Sequence, residues 1–143
     1  MLGASLELRR QIAEVEVDAA VSRQLGEVIA IVNERAASGR LGEIVVFHVG
    51  NNGIFTSGQF DELMRLVGGR RVIFLNVAVP RRWAGPNNAV IAEGARKHPN
   101  VAVLDWAAIA ERRPELLWSD GIHLRPEGAY FYSQLIVSAL REQ

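Results

Sequence analysis

The amino-acid sequence predicts an α/β fold, a three-layer α/β/α sandwich around a parallel sheet, on two observations. Short apolar runs rich in β-branched residues alternate with longer stretches of helical period. The runs are almost unbroken in apolar character, as strands are when helices cover both faces of a sheet. Repeats, low-complexity tracts and long linkers are absent. The 143 residues suffice for one real core, so 1–143 are expected to form a single domain.

Strands are expected at Val15–Ala19, Ile44–Val49, Val72–Val77 and Val101–Leu104. A first helix is expected over Leu6–Val15, with Leu6, Ile12 and Ala13 turned inward. Ser22–Ala37 places Leu25, Val28, Ile29 and Val32 at helical spacing, and Gln59–Val67 does the same with Phe60, Leu63 and Met64. Asn87–Lys97 follows Pro86 as a further helix, Ala107–Glu111 makes a short one, and Pro126–Leu140 makes the last, with Pro126 suited to its first turn. A doubly wound domain normally opens on a strand, whereas only five residues precede the first helix here, so a first strand is expected to be missing.

Composition removes several classes of function. Lys+Arg and Asp+Glu balance at 16 each, so no overall field draws the chain to nucleic acid or an anionic membrane. The absence of cysteine rules out a disulfide scaffold, a thiolate zinc site and a cysteine nucleophile, and is neutral between compartments. No apolar run approaches the roughly 20 residues of a membrane span, and Met1–Arg10 lacks the basic-then-apolar order of a signal peptide. No His/Cys/carboxylate cluster stands at ligand spacing, so neither a metal site nor a cofactor is expected. His48 reads as a core residue of its strand, and His98, beside Pro99, as a loop residue.

Ligands of such sheets bind outside the carboxyl ends of the strands, which directs attention to four segments. These are 21–24 (Val-Ser-Arg-Gln), 50–53 (Gly-Asn-Asn-Gly), 79–83 (Val-Pro-Arg-Arg-Trp) and 119–123 (Ser-Asp-Gly-Ile-His). Asp120 and His123 lie three apart in a loop broken by Gly121 and closed by Pro126, so the carboxylate can turn back to the imidazole. A carboxylate on Nδ1 fixes the tautomer and leaves Nε2 as a general base towards a hydroxyl nucleophile. Taken alone, the same pair also reads as a capped turn. In 50–53, two glycines around two side-chain amides permit a sharp turn that aims an amide N–H into the crevice, where it can hold an oxyanion; an ordinary Asn-Gly turn is the other reading.

Together, Gly50-x-Asn52-Gly53 after a central strand and Asp120-x-x-His123 before the last helix resemble two of the blocks that define SGNH (GDSL-like) hydrolases. Asp18-Ala19-x-Val21-Ser22-Arg23-Gln24, Val79-Pro80-Arg81-x-Trp83, an Asn at 87 or 88, Pro99-Asn100-Val101 and Asp105-Trp106 narrow the resemblance. It narrows to the SGNH domains at the C-terminus of membrane acyltransferases that O-acetylate peptidoglycan and other polysaccharides. The resemblance implies His123 as base, Asp120 as its orienting acid, and an oxyanion hole from Asn52, the backbone at Ser22, and Gly50. Arg23, Arg81 and Trp83 border the crevice as candidate sugar contacts.

The Gly-Asp-Ser block that carries the family's nucleophile is not matched. Met1-Leu2-Gly3-Ala4 resembles the residues that follow it, so the chain is expected to be N-terminally incomplete. Ser5, in Gly3-Ala4-Ser5, is the remaining nucleophile candidate, with too short a run before it to build the strand beneath such a turn. The resemblance further implies acyl transfer or ester hydrolysis on a carbohydrate, an acyl donor and a carbohydrate acceptor as partners, and an extracytoplasmic site. A non-catalytic carbohydrate-binding or scaffolding domain is the alternative, and the unmatched nucleophile block favours it.

Overall fold

A computed structural model of the chain describes residues 1–141. They fall into two compact units, one formed by Ser22–Ala107 and the other by Met1–Val21 with the segment from Ala108 onward.

The first unit is built on a parallel sheet of β1 (Ile44–Phe47), β2 (Arg71–Leu75) and β3 (Val101–Leu104), in the order β1-β2-β3. Central β2 has Val72, Ile73, Phe74 and Leu75 all fully buried, the two-faced burial that its apolar sequence requires. Helix α2 (Leu25–Ala37) precedes β1, and α3 (Ser57–Val67) and α4 (Ala84–Lys97) connect the strands. One continuous core joins Leu25 and Val32 of α2, Phe60, Leu63, Met64 and Val67 of α3 and Ile91 of α4 to Phe47, Val72 and Phe74 of the strands. Helix starts are set locally. The Gln24 N–H donates to Glu27 Oε2 at 2.9 Å; Thr56 Oγ1 accepts from the Gln59 N–H at 3.2 Å, while the Thr56 N–H donates to Gln59 Oε1 at 3.0 Å.

The second unit packs α1 (Ser5–Gln11) against α6 (Pro126–Arg141). Leu8 of α1 and Tyr132, Ile136 and Val137 of α6 are buried, with Leu116 of a short 3-10 turn, Pro114–Leu116. Helix α5 (Trp106–Arg112) leads into this turn.

The strands at 44, 72 and 101 lie where the sequence places them, each within two residues, and the α/β class with a parallel sheet is as expected. The expected strand at Val15–Ala19 is not formed: residues 15–20 carry no regular secondary structure. Glu16 and Asp18 interrupt its apolar character, and among the described residues the segment joins no sheet ladder. The first helix is correspondingly shorter, ending at Gln11.

Candidate functional site

The Asp120–His123 pair is made by its loop. Residues 117–124 fold back as a narrow antiparallel turn in which Leu117 bridges Leu124. The Trp118 N–H donates to the His123 carbonyl at 2.8 Å, and the Gly121 N–H to the Trp118 carbonyl at 2.9 Å. Asp120 Oδ1 accepts the backbone N–H groups of Ile122 at 2.8 Å and His123 at 2.9 Å, and Oδ2 takes His123 Nδ1 at 2.7 Å. The backbone N–H of His123 first, then the imidazole and the Ile122 N–H, hold the Asp120 carboxyl at about 2, well below its ordinary value. The acid is therefore ionised throughout the neutral range. With Nδ1 occupied, the ring presents Nε2 outward, and the His123 side chain is 76% exposed.

The oxyanion candidates belong to the other unit. Gly50 follows β1 with φ of +102°, and a Cβ there would stand 2.8 Å from both the Asn87 amide and the Phe55 ring. Only glycine fits both the conformation and the space. Fully buried Asn87 laces the loop together: its Nδ2 donates to the carbonyls of Gly50 at 3.0 Å and Gly53 at 2.8 Å, and its Oδ1 accepts the Phe55 N–H at 3.1 Å. Asn52, at the exposed tip, donates one Nδ2 hydrogen to the Arg23 carbonyl at 3.1 Å. That bond fixes the amide plane, and the second hydrogen on the same nitrogen remains to be given.

Among the described residues Ser22 is one of two non-glycine residues with positive φ, at +59°, so the segment carrying it turns sharply just before α2. Arg23 is half-buried beside it. After β2, Asn88 pins the strand end by accepting the Val77 N–H at 2.7 Å and donating to its carbonyl at 2.9 Å. Arg81, beyond it, is exposed, and Trp83 is half-buried at the start of α4 with its Nε1 sealed from solvent.

Ser5 opens α1 in right-handed helical conformation, φ −60° and ψ −38°. It follows the 3-10 turn Leu2–Ala4 rather than a strand. His48 stands just past β1 with its Nε2 sealed from solvent although the residue keeps some exposure, and desolvation lowers the imidazole to about 3. Among the described residues no group of three or more His, Cys, Asp or Glu is placed to hold a metal, and no helix is long and apolar enough to cross a membrane.

Two features near these residues escape a sequence reading. The threefold bonding of Asn87 joins positions more than 30 apart. Trp118, half exposed next to the dyad, carries no signal beyond its nearness to Asp120.

No protein-family model matches the chain. The chain is 32% identical over 141 residues to YrhL of Bacillus subtilis strain 168, provisionally named a peptidoglycan O-acetyltransferase. That match covers 99% of the chain and 22% of the relative. It is 33% identical over 132 residues to the O-acetyltransferase OatA of Staphylococcus aureus, covering 92% of the chain and again 22% of the relative. The chain thus spans about a fifth of the length of these relatives. Among solved structures, the C-terminal catalytic domain of Streptococcus pneumoniae peptidoglycan O-acetyltransferase A, carrying a methylsulfonyl adduct, superposes with a TM-score of 0.85 at 22% identity. It covers 98% of this chain and 87% of that one. A lipase/acylhydrolase of Enterococcus faecalis gives 0.68 at 21% identity, over 83% and 71%. These likenesses establish the fold.

Proposed function

We propose, from the premise that the chain belongs to the SGNH hydrolase domains of the peptidoglycan O-acetyltransferase kind, that residues 1–143 act as one domain passing an acyl group, most simply acetyl, to or from a carbohydrate hydroxyl. The observation that carries this reading is the 2.7 Å bond between Asp120 Oδ2 and His123 Nδ1, on a carboxylate already held by two backbone N–H groups.

His123 Nε2 takes the proton of a serine hydroxyl as its oxygen bonds to the acyl carbon. The resemblance assigns the tetrahedral oxyanion to the second Asn52 Nδ2 hydrogen and to backbone N–H groups at Ser22 and Gly50. Collapse breaks the bond to the leaving alcohol, which takes the proton from Nε2. An acceptor hydroxyl, of sugar or water, then runs the same steps in reverse. Asp120 stays ionised and holds the imidazolium as it forms. Ser5 has no part in bond formation in this reading, since a residue inside the first turn of α1 is not presented on a strand-to-helix elbow. Arg23, Arg81 and Trp83 remain candidate substrate contacts. An acyl donor, a membrane acyltransferase module as partner and an extracytoplasmic location belong to the same proposal, supported by the likeness to these relatives.

The test is hydrolysis of p-nitrophenyl acetate and of acetylated sugars by the full product of the gene. His123→Ala should lower kcat by on the order of 10³ or more, and Asn52→Ala by on the order of 10². Turnover undiminished in His123→Ala ends the reading, and sugar binding with no turnover in the parent protein leaves the non-catalytic alternative. Labelling of Ser5 by a fluorophosphonate would make that residue the nucleophile.

A further inference from the structure

We propose that the exposed indole of Trp118 is a stacking platform for a sugar ring of the substrate, set beside His123 and stiffened by Arg125; it rests on the carbohydrate reading above. The register of the loop carries it. Because Leu117 bridges Leu124 and the Trp118 N–H bonds the His123 carbonyl, Trp118 and His123 stand opposite one another across an antiparallel pair. Directly opposed residues of such a pair have Cα atoms about 5 Å apart and send their side chains to one face, their neighbours going to the other. Burial follows that alternation: Leu117 is buried and Leu124 half-buried, whereas Trp118 and His123 are exposed. An indole and the proposed catalytic base thus share a solvent-facing surface.

Trp118 keeps 50% of its surface exposed, so its burial is not what holds the loop together. One side of the indole is nevertheless occupied: the Arg125 guanidinium lies 4.8 Å from the ring centroid. A cation there fixes the ring's orientation, and the half of the residue that stays exposed is the part a ligand can reach. A rigid, half-exposed indole suits a pyranose, whose axial C–H hydrogens are weakly positive and meet the negative π-face, while the hydroxyls at its rim stay in water. A flexible side chain would lose more entropy on binding than a ring already held.

The measurement is an NMR titration of the tryptophan indole N–H resonances with the N-acetylglucosamine tetramer, the Trp118 signal being assigned by its loss in Trp118→Ala. Saturation should shift the Trp118 resonance, and Trp118→Ala should weaken tetramer binding about tenfold, with Trp118→Tyr restoring most of it. Arg125→Ala should fall between. A Trp118 resonance unmoved by the tetramer, or equal affinity in a folded Trp118→Ala, overturns the platform. Should Trp118→Ala fail to fold, the loss of the signal in Trp118→Tyr supplies the assignment, and the shift in the unsubstituted protein still decides. The readout needs no turnover: a shifted indole in a protein without esterase activity supports the platform while the catalytic reading fails, and turnover with an unmoved indole does the opposite.

Discussion

At the scale of single residues, Asp120 does two jobs with one carboxylate. It closes its own turn through the N–H groups of Ile122 and His123, and it holds the imidazole. The backbone is the larger cause of its lowered pKa, so its titration should be centred near pH 2 and rise only part of the way back in His123→Ala. A carboxyl depressed in the folded state adds stability above its unfolded value, and that contribution is lost as pH falls towards 2. Carbon-13 NMR of the Asp120 carboxyl reads the midpoint directly; an ordinary value near 4 would show that the turn does not bind the anion. Asp120→Asn should keep the turn largely intact but lower kcat by about 10² to 10⁴, because the amide no longer favours the Nδ1-protonated tautomer. Asn87 is the other residue with a defined cost. Asn87→Ala leaves two carbonyls and one N–H of the 50–55 loop without their partner in a buried place, a loss on the order of 3 kcal/mol measurable by urea unfolding. Any active remnant should show the weaker turnover expected when Asn52 is no longer held.

At the scale of elements, the dyad loop depends on how closely α6 meets the turn before it. A Cβ on Gly128 would lie 1.9 Å from the Leu116 carbonyl oxygen, so the helix can sit there only with glycine. The Arg125 N–H also bonds that carbonyl at 2.9 Å, tying the end of the loop to the same point. Gly128→Ala should therefore push α6 away from Pro114–Leu116, destabilise by about 2 to 3 kcal/mol, and disturb the His123 imidazole resonances. A variant with unchanged melting temperature and unchanged His123 signals would show that the contact yields at little cost.

At the scale of the whole molecule, acid stability should be governed in part by His48. Its imidazole is lowered to about 3 by desolvation, so between that value and the ordinary 6.5 the unfolded chain binds a proton that the folded chain does not. Stability should fall as pH drops through this window, with a slope approaching about 1.4 kcal/mol per pH unit from this group. Chemical unfolding at pH 7 and pH 4.5 measures it, and His48→Phe should flatten the dependence. A wild-type protein equally stable at both values would mean that His48 protonates without cost.

What the sequence determined by itself was whatever depends on near neighbours along the chain. Runs such as 72–75, apolar on both faces, specify a buried parallel strand; capping pairs such as Thr56 with Gln59 start helices; and three residues suffice to turn Asp120 back onto His123. The α/β class and the dyad were legible for that reason. Tertiary structure alone decided matters of pairing and exposure. Val15–Ala19 has the composition of a strand, yet a ladder requires a second chain segment at the right distance, and no local pattern supplies one. The lacing of the 50–55 loop by Asn87 spans more than 30 positions, and Trp118 stays half exposed while Leu117 and Leu124 take the inner side of a register that is fixed only when the loop closes. Local propensity acts through torsions and adjacent hydrogen bonds, whereas a partner distant in sequence becomes a neighbour only after the chain has met the entropy cost of bringing the two together.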